Sequence, residues 1–113
     1  MKFTTPALLL GLIAVPSVAQ ADGPGSYTAR GGNYSGSVVL TQTGAGTRHV
    51  SWNIEGDRSD GTGIGDGKTL AFSFSGKNGS GTALYRANGS GGYSGIWAYR
   101  NDRKTGNETW IPR

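Results

Sequence analysis

The sequence contains no cysteine among its 113 residues. Disulfides and thiolate-based zinc sites are therefore excluded, and stability must come from side-chain packing. Histidine is almost as scarce, since His49 is the only one. A serine–histidine–acid set would have to use that residue, and no Gly-x-Ser-x-Gly segment accompanies it. We predict that the protein is not an enzyme and has no catalytic residue, cofactor or metal site.

Long hydrophobic runs are also scarce, and the only one is Ala7 to Val15. It is shorter than the roughly 20 residues that a membrane-spanning helix needs. Lys2 precedes it and Ala19-Gln20-Ala21 follows it, which is the pattern of a cleavable secretory signal peptide. We predict a signal peptide at residues 1–21 and a single exported domain at residues 22–113. That domain would be periplasmic or secreted, with no membrane span in the mature chain.

The charge balance is only mildly basic, with 11 Lys and Arg against 7 Asp and Glu. This excess is too small and too scattered for a nucleic-acid footprint, so we predict no nucleic-acid partner. Basic residues gather once, at Arg100, Arg103 and Lys104, beside Tyr99. Arginine next to aromatic residues is typical of a contact surface for an acidic protein or a glycan. Tyr99, Arg100, Arg103 and Lys104 are therefore candidate partner-binding residues; the alternative is a solvated loop.

Glycine, by contrast, is abundant, with 21 residues. It interrupts the chain too often for an amphipathic helix, and the segments between glycines alternate between apolar and polar residues. The clearest example is Val50, Trp52 and Ile54. The predicted strands cover residues 25–30, 34–41, 47–55, a short stretch around Ile64, 68–75, 82–88, 93–100 and the closing ETWIP. Polar connections are expected at 56–61, 76–81 and 101–107.

These segments predict an all-β fold of about eight short antiparallel strands in an up-and-down meander. The meander would form a small closed barrel or a flattened sandwich. An eight-stranded barrel has room inside for side chains or one small ligand. Because many aromatic residues fall on the predicted inward faces, we expect a filled interior.

Three further sequence features bear on chemistry or on internal symmetry. The stretch GTGIGDGKT at residues 61–69 resembles a phosphate-binding loop, but Thr62 stands where the first glycine is required. Glu55 and Glu108 could form a carboxylate pair for glycoside chemistry, but nothing in the sequence brings them together. The phrase Tyr-Ser-Gly occurs after a glycine pair twice, and we predict that Tyr34 and Tyr93 occupy equivalent strand starts.

Several motifs together resemble a group of small exported bacterial proteins, some of which are labelled fibronectin-binding. The motifs are GNYSG, HVSW, GTGIGDGKTLAFSF, GTALY, YSGIW and TGNETWIP, and they extend over residues 33–112. Arg48 and His49 depart from the group, in which aromatic residues often begin the third strand. The resemblance implies a non-enzymatic exported β-domain with affinity for a host matrix protein. It assigns no binding residues.

Three functions remain open from the sequence. The first is a binding module for an extracellular or cell-envelope protein, with a fibronectin-type partner implied by the resemblance alone. The second is a barrel of the avidin or lipocalin kind that binds a small ligand. The third is a periplasmic inhibitor of a cell-wall hydrolase. An open cavity inside the barrel would favour the second function.

Overall fold

The computed structural model describes residues 23–113. The predicted signal peptide therefore lies outside the described residues. The described residues form eight β-strands and no helix. The strands are β1 (Gly25–Arg30), β2 (Ser35–Gln42), β3 (Thr47–Ile54), β4 (Asp57–Gly65), β5 (Thr69–Gly76), β6 (Gly79–Ala87), β7 (Tyr93–Tyr99) and β8 (Gly106–Pro112).

The eight strands form a closed antiparallel barrel in which each strand pairs with its neighbours in sequence. Closure comes from β1 and β8, which pair from Tyr27 opposite Pro112 to Arg30 opposite Thr109. The prediction of an all-β up-and-down meander is confirmed, and the closed barrel is the form adopted. Closure gives each of these eight strands a partner on both sides, so none of the described strands has an exposed edge.

Alternating side chains explain how the barrel acquires its core. Along β3, Val50 and Trp52 are buried while Asn53 is exposed, because successive side chains of a strand point to opposite faces. The same alternation buries Leu70 and Phe72 on β5. The buried apolar residues are Tyr27, Ala29, Val38, Leu40, Val50, Trp52, Leu70, Phe72, Ala83, Tyr85, Tyr93 and Trp110.

The predicted connection at 56–61 is wrong, since β4 begins at Asp57 and continues through these residues. This strand has almost no apolar side chain to reveal it. It instead turns Gly61 toward the lumen, where a Cβ atom would lie 3.0 Å from Val50 and 3.2 Å from Trp52. The large neighbours fill the space in front of β4, so the strand needs small inward residues. The predicted turn at 76–81 is likewise shorter, because β6 begins at Gly79.

The two ends of the barrel differ. The end that carries the β2–β3, β4–β5 and β6–β7 connections, here called the base, is tied down by side chains. The Tyr93 hydroxyl donates to the Gly67 carbonyl at 2.7 Å. The Arg48 side chain is only 5% exposed and donates to the Thr47 carbonyl at 3.1 Å. These contacts cover the base.

The end that carries the other four connections is here called the mouth. Its lumen is not filled, and a cavity of about 250 Å³ opens there. The expected filled interior therefore describes the base half of the barrel but not the mouth half. Tyr34 precedes β2 at the mouth, whereas Tyr93 begins β7 at the base. The two tyrosines of the repeated phrase thus lie at opposite ends, because β2 and β7 run in opposite directions.

Candidate functional site

Six aromatic side chains line the mouth cavity. They come from four strands and from the β1–β2 connection, and they are Tyr34, Trp52, Phe74, Tyr85, Trp97 and Tyr99. Trp97 and Tyr99 meet edge to face with ring centroids 5.2 Å apart. Trp52 and Phe74 make a similar contact at 5.7 Å. Such contacts fix the rings relative to one another, so the walls are preformed.

A buried carboxylate lies at the inner side of this cavity. Glu108 on β8 lines the cavity and is only 5% exposed. Its Oε2 atom accepts three hydrogen bonds, from Trp110 Nε1 at 2.6 Å, Trp52 Nε1 at 2.9 Å and the Tyr85 hydroxyl at 3.1 Å. Its Oε1 atom accepts a fourth from the Tyr34 hydroxyl at 2.6 Å. All four partners donate, which suits an ionised carboxylate with acceptors at both oxygens.

Among residues 23–113, no cationic side chain forms an ion pair with this carboxylate. The ion pairs found among residues 23–113 join His49 to Asp60, Arg58 to Asp60 and Lys77 to Asp57. Glu108 takes part in none of them. An unpaired buried charge is costly unless hydrogen bonds compensate it, so the indole and phenol donors are the groups that make its burial tolerable.

Two of the four donors to Glu108, the hydroxyls of Tyr34 and Tyr85, are held in their protonated form. Burial, followed by the hydrogen bond and charge of Glu108, raises the pKa of Tyr34 above the usual tyrosine range. Burial and the charge of Glu108 raise the pKa of Tyr85 still more strongly. A negative carboxylate disfavours a second negative charge beside it. Both hydroxyls therefore remain donors at neutral pH.

The positions of Tyr34 and Trp97 depend on glycine. Trp97 Nε1 donates to the Tyr34 hydroxyl at 3.0 Å, which connects a fifth residue to Glu108. A Cβ atom on Gly31 would overlap the Tyr34 ring, and one on Gly106 would overlap the Trp97 indole. Larger residues at either position would displace a wall of the cavity. Gly31 also closes the β1–β2 connection, where its N–H donates to the Tyr34 carbonyl at 3.0 Å.

Two more carboxylates lie at the rim. Asp57 begins β4 and forms an exposed ion pair with Lys77 at 3.6 Å. Glu55 and Gly56 form the two-residue β3–β4 connection, with φ of 54° and 91°. Two successive positive φ angles are the mark of a type I′ hairpin turn, where asparagine or glycine is preferred over glutamate. Glu55 is the only non-glycine residue of 23–113 with positive φ.

The predicted partner-binding residues divide between two places. Tyr99 lines the mouth cavity. Arg100, Arg103 and Lys104 are exposed on the β7–β8 connection and do not line it. The basic residues are close to Tyr99 in the sequence but do not share its site, because Tyr99 points inward at the end of β7 and the chain then leaves the barrel. Their role in partner binding stays a prediction.

Sequence reasoning missed the centre of the site. The sequence indicates Glu108 only as a possible partner of Glu55, and the structure does bring both to the same cavity. His49 lies elsewhere, on the outer side of β3, with Nε2 3.7 Å from Asp60. The available signal for Glu108 was its place in Glu-x-Trp, since residues two apart on a strand share a face. That placed a carboxylate beside Trp110 on the inward face.

Within residues 23–113, no helix is long and apolar enough to cross a membrane. The same residues contain no group of three or more His, Cys, Asp or Glu side chains arranged to hold a metal ion. Comparison with protein-family models, with curated proteins and with solved structures gave no match. The chemistry of the mouth cavity is therefore the basis for a functional proposal.

Proposed function

We propose that this protein is a small-ligand-binding β-barrel and that the mouth cavity is its binding site. The observation that supports this most directly is an open cavity of about 250 Å³ with aromatic walls and a buried carboxylate, in a barrel whose other half is filled. Ligand sites are typically concave and mostly apolar, with a few placed polar groups. The proposal includes binding and no chemical step.

The degree of burial of the aromatic residues supports the same proposal. In the base half, Tyr93 and Trp110 are completely buried. At the mouth, Tyr34, Phe74, Trp97 and Tyr99 are only partly buried. Covering such rings with a ligand would remove apolar surface from water, at about 25 cal/mol per Å². The mouth half thus has apolar surface that the folded chain itself does not cover.

The protein-binding hypotheses rest on different residues. Arg100, Arg103 and Lys104 are exposed on a single connection, which suits contact with an acidic partner or insertion into a hydrolase cleft. A fibronectin-type partner is supported by resemblance alone. Retention of the protein on immobilised fibronectin, lost in an Arg103→Ala/Lys104→Ala variant, would support that hypothesis, and no retention at micromolar concentration would remove it.

We propose a location outside the cytoplasm, and the signal-like sequence of residues 1–21 supports it. Mass spectrometry of the exported protein should find a chain that begins at Asp22. An intact N-terminus in the exported fraction would contradict the predicted cleavage.

A neutral fluorescent probe tests the small-ligand proposal without assuming a ligand charge. N-phenylnaphthylamine fluoresces strongly only in apolar surroundings, and we expect a saturable increase with the wild-type protein. Ser59 lines the mouth on β4, so Ser59→Phe should fill the cavity and abolish the increase. Thr62→Phe is the matched control, because Thr62 is an exposed residue of the same strand.

Melting curves of both variants establish that they fold. Binding that is lost in Ser59→Phe and kept in Thr62→Phe supports the mouth as the site. An equal probe signal in all three proteins, or no saturable signal in the wild type, would overturn the proposal.

A further inference from the structure

The ionisable side chains that line the mouth cavity include three of negative sign. They are Glu55, Asp57 and Glu108, and the lining includes no Lys, Arg or His. Asp57 is paired with the exposed Lys77 at 3.6 Å, so Glu55 and Glu108 are the carboxylates of the lining without an ion-pair partner among residues 23–113. This lining contrasts with the chain as a whole, whose formal net charge is +4. A cleft lined by one sign of charge concentrates ligands of the opposite sign and repels those of the same sign. The lining therefore disfavours an anionic ligand.

The walls of the cavity offer a second attraction for a positive charge. The faces of aromatic rings carry partial negative charge and attract ammonium and guanidinium groups within about 6 Å of the ring centroid. Phe74, Trp97 and Tyr99 are linked by edge-to-face contacts of 6.0 and 5.2 Å. They are only partly buried. Ring surface at the mouth is therefore accessible to a ligand.

Oε1 is the carboxylate oxygen of Glu108 that has fewer hydrogen-bond donors. Each oxygen of an ionised carboxylate offers about two accepting positions. Oε2 already has three donors, but Oε1 has only the Tyr34 hydroxyl. A cation near Oε1 would supply the opposite charge that Glu108 lacks among residues 23–113. Because the carboxylate is buried, that attraction is less screened than at the surface.

The backbone at Glu55 gives independent support. Its φ of 54° is unfavourable for glutamate, and asparagine or glycine would occupy the turn more easily. Residues held in sparsely populated backbone regions often lie at ligand sites, where their side chains are needed. Here the strained residue places a carboxylate at the rim of the cavity.

From these observations we infer that the mouth cavity binds a small organic cation, with the cationic head against the aromatic faces and near Glu108 Oε1. This inference rests on the proposed small-ligand function and names the chemical class of the ligand. A volume of about 250 Å³ corresponds to roughly eight water molecules of about 30 Å³ each. A trimethylammonium or similar head with a short tail fits that size.

The test compares three probes of one shape that differ in charge. Choline is the cation, dimethylbutanol is its neutral isostere in which carbon replaces nitrogen, and dimethylbutyrate is the anionic analogue. Titration calorimetry with the full chain, supported by tryptophan fluorescence, measures the dissociation constants. We expect choline to bind at least about tenfold more tightly than dimethylbutanol, and dimethylbutyrate to bind most weakly.

Single carboxylate variants assign the effect to the mouth. Glu108→Gln should weaken choline binding about tenfold or more while changing dimethylbutanol binding less than about twofold. Glu55→Gln, at an exposed rim position, should weaken choline binding about two- to fivefold and serves if Glu108→Gln does not fold. Asp60→Asn is the matched control, because Asp60 pairs with Arg58 outside the cavity. It should leave all three affinities unchanged.

The outcomes separate the two proposals. If dimethylbutanol binds as tightly as choline, or the carboxylate variants affect both equally, the cation inference is wrong while the small-ligand function stands. If dimethylbutyrate binds most tightly, the cation inference is also wrong. If none of the three binds at millimolar concentration and the neutral fluorescent probe also fails, both proposals are wrong. If only the fluorescent probe binds, the cation inference alone is overturned.

Discussion

Removing the Glu108 carboxylate should strongly destabilise the barrel. In Glu108→Ala, the buried donors of Trp52, Tyr85 and Trp110 lose their common acceptor. Each buried donor left unsatisfied costs about 1–3 kcal/mol. Water entering the vacated space recovers part of that loss, so we expect a net loss of about 4 kcal/mol.

Glu108→Gln should be milder, because its amide oxygen can replace Oε2 and its amide nitrogen can donate to the Tyr34 hydroxyl. Three charge-assisted bonds become neutral ones, at about 1 kcal/mol each. Removing a buried charge offsets part of this loss. We expect a net loss of about 1–2 kcal/mol. Glu55→Gln is the surface control and should change the stability by less than about 0.5 kcal/mol.

Urea unfolding followed by tryptophan fluorescence measures these differences directly. With a slope of about 1–2 kcal/mol per M for a domain of this size, Glu108→Ala should lower the midpoint by about 2–4 M. The free energy of unfolding of such a domain is about 5–15 kcal/mol. If the wild-type value lies in the upper part of that range, Glu108→Ala still shows a measurable unfolding transition. A midpoint for Glu108→Ala equal to that of the wild type would refute the role of Glu108 as the shared acceptor. A Glu108→Gln variant more stable than the wild type would show that removing the buried charge outweighs the weaker hydrogen bonds, contrary to this prediction.

Three further perturbations test other parts of the structure. Glu55→Asn should raise the free energy of unfolding by about 0.5–1 kcal/mol, because asparagine tolerates positive φ. The same variant should weaken cation binding. A lower free energy of unfolding would contradict the strain assigned to this turn. Gly36→Val and Gly95→Val should each lower the free energy of unfolding by about 2 kcal/mol or more, because the new side chain would overlap the Asn53 carbonyl or the Leu84 carbonyl, respectively. Gly32→Ala is the control, because Gly32 faces open space. Equal melting temperatures for all three variants would contradict this prediction. Because its folded pKa is raised, Tyr85 keeps its proton above about pH 10 while the unfolded chain loses it. Stability should therefore fall by up to about 1.4 kcal/mol per pH unit there, and Tyr85→Phe, compared by urea midpoints across that range, should show a shallower fall.

The sequence predicts most of the barrel because most strands carry their own signal. In β3 and β5, apolar side chains alternate with polar ones, and that period of two identifies both the strand and its inward face. β4 has no such signal. Its inward Gly61 is determined by the bulk of Val50 and Trp52 on the neighbouring strand, which is a tertiary constraint that no local pattern contains.

The candidate site was also hard to predict, because its residues are far apart in the sequence. The acceptor Glu108 and its donor Tyr34 are 74 residues apart in the chain, and only barrel closure brings them together. Conversely, residues that are adjacent in the sequence do not all lie in the site. Tyr99 and Arg100 are adjacent, yet the tyrosine turns into the cavity and the arginine is exposed.

The closure of β1 against β8 also constrains the order in which the barrel can form. Contacts between the first and last strands have the largest sequence separation in the fold, so they require the largest loss of chain entropy before they form. β8 also supplies both Glu108 and Trp110. The first seven strands can pair as local hairpins, but the seam and the inner side of the mouth cavity are completed together, when β8 pairs with β1. A binding-competent cavity is thus a late product of folding, and ligand binding is a measure of barrel closure.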